Sequence, residues 1–105
     1  MEVKEKKVKI KDKTFEIKTL IFQNSYFIFI YEDGKDRIGA LALSIMGNTL
    51  SLFPAKFGEN FAKILAQLIS EELGNITLVS IYLSSELDNE SYRLMIKEVK
   101  GTLLP

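Results

Sequence analysis

The run Tyr26–Tyr31 is the feature that most constrains this chain: Tyr-Phe-Ile-Phe-Ile-Tyr is apolar at odd and even positions alike. Successive side chains of a strand point to opposite faces, so such a run needs cover on both sides. It sits inside Leu20–Leu43, where Asn24-Ser25 and Asp33-Gly34 punctuate three β-rich segments. Whatever else the chain folds into, one layer must lie above Tyr26–Tyr31 and another below it.

The flanking segments read as further strands. Val8-Lys9-Ile10 and Phe15-Glu16-Ile17-Lys18 alternate about a turn at Asp12-Lys13. That turn sets Ile10 against Phe15 and Val8 against Ile17. The Asn24-Ser25 turn sets Phe22 against Phe27 and Leu20 against Phe29. A turn at Gly34-Lys35 sets Phe29 against Ala40, Phe27 against Ala42 and Ile28 against Leu41. A turn at Gly47-Asn48 sets Leu43 against Leu52 and Ala42 against Phe53 before Pro54 ends the run. All of these choices agree in parity. One face collects Val8, Ile10, Phe15, Ile17, Ile21, Ile28, Leu41, Leu43, Ile45, Leu50 and Leu52. The expectation is a five-strand meander.

A helix follows over about Glu59–Leu73, with Phe61, Ile64, Leu65, Leu68, Ile69 and Leu73 at helical spacing and a stop at Gly74-Asn75. Ile76–Leu83 reads as a sixth strand, again apolar on both faces. Asp88 or Asn89 caps a second helix whose stripe is Tyr92, Met95, Ile96 and Val99, stopped by Gly101 ahead of a frayed tail at Thr102–Pro105. The expected class is α+β, one domain over residues 1–105: a six-stranded antiparallel sheet with two helices on one face, a two-layer sandwich.

Two helices with one stripe each cover one face of such a sheet. The second face would carry Leu20, Phe22, Phe27, Phe29, Tyr31, Ala40, Ala42, Phe53 and Tyr82, with Leu78 and Ser80 beside them. That is more contiguous apolar surface than a monomer usually exposes. The simplest cover is the same face of a second copy, and these residues are therefore the expected dimer interface. The alternative is a helix that crosses over and leaves the chain monomeric.

The rest of the composition narrows the function. The chain has no cysteine, so disulfides, zinc–thiolate sites and thiol nucleophiles are excluded; it has no histidine, the commonest general base and metal ligand. Glu71-Glu72 and the group Glu86, Asp88 and Glu90 read as solvated surface and helix start rather than acid–base pairs. Ser25, Ser84 and Ser85 have no histidine to activate them, and neither Gly34 nor Gly39 opens a phosphate-binding helix. No catalytic residue, metal or cofactor is expected. The formal net charge is zero, so neither nucleic acid nor a membrane surface is an expected partner. The lysines before residue 19 read as a solvated edge. With no secretory h-region and no run of membrane-span length, the expected location is the cytoplasm.

The order of elements, with Phe61-Ala62-Lys63 opening the first helix and Glu71-Glu72-Leu73-Gly74-Asn75 closing it before an apolar strand, resembles the proteasome assembly chaperones. The likeness is to the small third and fourth members of that family, over roughly residues 7–100, in a minimal, archaeal-like form. It implies an α+β domain that forms a homodimer, or a heterodimer with a paralogue, and binds proteasome α-subunits during ring assembly. The first and second members end in a hydrophobic-Tyr-X tail. This chain ends Leu103-Leu104-Pro105, so that mode is not expected. A dimeric scaffold or adaptor of another regulatory complex is the alternative.

Overall fold

A computed structural model describes residues 1–73 and 76–104. The expected stop at Gly74-Asn75 and the terminal Pro105 lie outside the described residues. In chain order the elements are β1 (Glu2–Ile10), β2 (Lys13–Ile21), β3 (Ser25–Glu32), β4 (Ala40–Ile45), β5 (Asn48–Phe53), α1 (Glu59–Leu73), β6 (Ile76–Tyr82) and α2 (Asn89–Leu103). The α+β class, the six strands and the two helices are as expected.

The meander is not. The strand order is β1-β2-β3-β6-β4-β5, and β6 runs parallel to β3 while every other pair is antiparallel. β3 and β6 are strands with bulky apolar residues on both faces, and they lie side by side in the middle of the sheet. An edge position would leave one flank of β6 in water; the centre buries both. Phe29 therefore faces Ser80, and Phe27 faces Leu78, instead of Ala40 and Ala42. The Gly34 turn exists, with Lys35 N–H donating to the Glu32 carbonyl at 2.9 Å. The chain then continues through residues 36–39, which pass the end of β6, before β4 begins.

That passage is tight. A Cβ on Gly39 would lie 2.0 Å from the Ile81 carbonyl oxygen. The Gly39 N–H donates to Ser80 Oγ at 3.1 Å. Only glycine allows the two backbones to approach so closely.

Three hairpin registers sit two residues from their expected places. Val8 faces Phe15 across a turn at Lys11-Asp12, Leu20 faces Phe27, and Leu43 faces Leu50 across a turn at Met46-Gly47. Met46 and Gly47 both have positive φ, 53° and 88°, the pair of conformations that a twisted two-residue hairpin requires. A slip of two leaves each side chain on its own face, so parity within each hairpin survives.

Both helices pack on one side of the sheet. α1 lies over β4, β6 and β5, and α2 against β1, with a limited contact between the helices. The core between the layers contains Phe15, Ile17, Ile28, Ile30, Leu65, Ile69, Val79, Ile81, Met95 and Val99, all fully buried. α1 turns Phe61, Ala62, Leu65, Ala66, Ile69 and Ser70 inward and leaves Ile64 56% exposed, so its buried stripe is rotated toward its small residues. α2 continues through Gly101 to Leu103, and Thr102 and Leu103 are buried rather than frayed. Asp88 is the N-cap, accepting from Ser91 N–H at 2.8 Å. Ion pairs from Lys6 to Glu98 and from Lys11 to Asp88, each 2.5 Å, pin α2 along β1. The hydrogen bond from Lys11, with the Ser91 bonds after it, holds the Asp88 carboxyl far below its ordinary value.

Glu32 clamps the central parallel pair. It is buried at the end of β3, and Ser84, just past β6, donates to it from its N–H at 3.0 Å and its hydroxyl at 2.6 Å. Lys13 and Lys35 lie 3.7 and 3.6 Å away. Burial pushes the Glu32 pKa up, but the Ser84 bonds and the two lysines outweigh it and hold the carboxyl below its ordinary value. A carboxylate whose pKa is lower folded than unfolded contributes stability above its unfolded value and loses that contribution as pH falls through the folded one.

Two outcomes are expected. Glu32→Gln lowers the urea midpoint near about pH 7 and flattens its decline toward about pH 3, whereas a parallel decline in both proteins would deny Glu32 this role. Gly39→Ala drives a methyl into the β6 backbone and costs more than about 2 kcal/mol in the same assay.

Candidate functional site

The face opposite the helices is open. Reading the registers across the sheet, Val3, Leu20, Phe27, Leu78, Leu43 and Leu50 form one row that crosses all six strands. At ordinary strand spacing that row is about 24 Å long. The next row runs Glu5, Lys18, Phe29, Ser80, Leu41 and Phe53, and a third runs Lys7, Glu16, Tyr31 and Tyr82. Apolar character is thus unbroken along one end of the face and gives way to charge at the β1–β2 corner of the other.

Side-chain exposure is highest at the two edge strands and falls toward the centre. Val3, Leu50, Leu52 and Phe53 are 53%, 60%, 46% and 52% exposed, while Phe27, Phe29, Leu41, Leu43 and Leu78 are half-buried by their neighbours. Phe22 leaves β2 at its end rather than pairing within it, yet its ring still packs on Phe27 at 5.4 Å between centroids. At the charged corner Glu5 and Lys18 pair at 3.6 Å, and Lys18 Nζ stands 5.7 Å over the Tyr31 ring. Contact with the Tyr31 hydroxyl, then the charges around it, raises the Lys18 pKa. Arg37 covers Tyr82 in the same manner at 5.6 Å. These cations shield the aromatics at one end and leave the Leu–Phe row bare.

The structure brings together seven of the nine residues expected on this face: Leu20, Phe22, Phe27, Phe29, Tyr31, Phe53 and Tyr82. Phe53 arrives through a register shift at Leu41/Ala42, which places it opposite Leu41. Leu78 and Ser80 join them as expected. Ala40 and Ala42 do not. They are 0% and 1% exposed and lie in the core beneath α1 with Ala62, Leu65 and Ala66. Because β6 separates β4 from β3, parity does not carry over from β3 to β4, and the whole β4–β5 hairpin is turned over relative to expectation. Leu41, Leu43, Ile45, Leu50 and Leu52, assigned to the helix side, belong to the open face for the same reason. Two signals in the sequence point this way: the two-sided apolarity of Ile76–Leu83, which belongs at a sheet centre, and the match of Ala40 and Ala42 to Ala62 and Ala66.

A second concavity lies in the helix layer. It is a groove of about 770 Å3 between the starts of α1 and α2, lined among others by Lys56, Asn60, Ile64, Glu86, Arg93 and Ile96. Phe61 and Tyr92 stack at its base with centroids 4.6 Å apart. Tyr92 donates its hydroxyl to Glu86, and burial with that carboxylate raises the phenol pKa. Among the described residues no group of three or more acidic side chains is gathered as a metal site, and no helix is long and apolar enough to cross a membrane.

No protein-family model and no curated protein matches this sequence. A solved structure does: a chain of a chaperone complex for yeast 20S proteasome assembly, with a TM-score of 0.74 at 12% identity, over 97% of this chain and 94% of that one. The two chains share one fold. The likeness spans both layers of this chain.

The assignment of faces is checked at β4. Ala42→Leu overfills the contact with α1 and is expected to cost about 1–3 kcal/mol by chemical denaturation. An Ala42→Leu protein as stable as the parent would mean that Ala42 faces the open side after all.

Proposed function

We propose that this chain is a non-catalytic assembly chaperone that pairs with a second copy, or with a paralogue, through its open sheet face and holds proteasome α-subunits during ring assembly. One observation carries the reading. The face that the fold leaves uncovered is an apolar row across six strands, on a chain that shares its fold with a component of a proteasome assembly complex.

The energetics are consistent with pairing through this face. Covering one Phe or Leu side chain contributes roughly 1.5–3 kcal/mol. Several together exceed an association cost of about 4–15 kcal/mol. Two sheets packed at about 10 Å would bury Phe27, Leu43 and Leu78 at the centre, with the Glu5–Lys18 corner at the rim. The helices would then face outward. In that arrangement the groove beside Ile64 and Arg93 stays accessible and offers a contact surface for a client subunit.

Phe27 is the decisive position. It stands mid-row between Leu20 and Leu78, with no cation among its cross-strand partners, whereas Phe29 lies opposite Lys18. Phe27→Glu places an unpaired carboxylate in the centre of the face. The expected result is a protein with the mass of one chain by light scattering, and no co-purification with α-subunits if pairing precedes client binding. A wild-type protein that already has the mass of one chain, or a Phe27→Glu protein that assembles unchanged, would refute pairing through this face. A paired wild type that ignores α-subunits would keep the pairing and reject the client.

A further inference from the structure

The sheet has two edges, β1 and β5. They are chemically opposite. β1 carries Glu2, Lys4, Glu5, Lys6, Lys7 and Lys9, a density of charge that opposes pairing with another strand. β5, Asn48–Phe53, carries no charge at all. Among the described residues its outer backbone row has no strand beside it, and its Leu50 and Leu52 are exposed on the open face. The usable edge is short: the register shift near Leu41 and then Pro54 end it.

We propose that β5 pairs antiparallel with β5 of a second copy about a two-fold axis, joining two sheets edge to edge. The occupant follows from charge. The only other edge a second copy offers is β1, whose lysines and glutamates would meet Leu50 and Leu52, and β5-to-β1 stacking would not close. β5 against itself brings no charge into the ladder. With Ser51 opposite Ser51 of the second copy, Leu50 meets Leu52 twice, and the apolar row running from Val3 to Leu50 continues into the next sheet. Glu59, which accepts from Ser51 Oγ at 3.0 Å, lies on the helix side of this pairing. The short edge limits the ladder to one closed pair. This edge contact is separate from the face-to-face pairing proposed above; both together would give four chains.

The absence of cysteine makes the test direct. Ser51→Cys introduces a single thiol at the axis, on the helix side of the sheet, where face-to-face packing cannot bring two copies together. Mild oxidation is expected to form a covalent dimer at least ~10-fold faster than in a Lys97→Cys control on the outer side of α2, since paired strands hold opposite Cα atoms within disulfide reach. Equal rates would overturn the edge pairing. Running both in the Phe27→Glu background separates the two contacts: cross-linking that persists there keeps the edge pair even if the face pair fails. Should Ser51→Cys not fold, amide exchange of the Phe27→Glu protein decides. The Thr49 and Ser51 amides are expected to slow at least ~10-fold on raising protein concentration, and concentration-independent exchange would overturn the proposal.

Discussion

The parallel pairing of β3 with β6 is the contact on which the rest of this structure depends. Each strand is apolar on both faces, so neither is stable at an edge, and together they make a centre that needs two covers. Placing β6 there separates β3 from β4 and forces residues 33–39 across its end. Gly39 is the consequence at the level of one residue, and the Glu32–Ser84 clamp is the polar seal on the same junction.

The two covers are unequal by construction. α1 approaches β4 closely because the contact is lined by Ala40, Ala42, Ala62 and Ala66. Putting the small residues of β4 under the helix puts its large ones, Leu41 and Leu43, on the other side. The apolar surface of the open face is thus coupled to the tight packing of the closed one through strand alternation. α2 covers the β1 side by a different means, ion pairs along a lysine-rich strand over a smaller buried stripe.

Charge then divides the periphery. Lysines and acids occupy β1, its edge and the adjoining corner of the open face, while the residues of β5 itself are uncharged. This polarity leaves the middle of the open face and the β5 strand free of the charge that lines β1. It does so without a net charge on the chain, by placement alone.

Much of this was legible in the residues. Period-two alternation located the first two strands, runs apolar at both parities located β3 and β6, helical spacing located both helices, and the two-sided apolarity of Tyr26–Tyr31 announced a sheet that two helices could not cover. Within hairpins the faces survived even where the turns were displaced, because a shift of two residues conserves parity. What the sequence did not declare was which strands become neighbours. Local turn chemistry at Gly34 argued for a β3–β4 hairpin, and the central placement of β6 overrode it, since flanking an apolar strand with a neighbour on each edge outweighs completing one tight turn. That single exchange moved Ala40 and Ala42 into the core and brought Leu43 and Leu50 out beside Phe27. The sequence by itself determined the elements and the excess of apolar surface; the tertiary structure alone decided where that excess lies, because pairing partners are chosen by the burial of whole strands and not by the residues of any one turn.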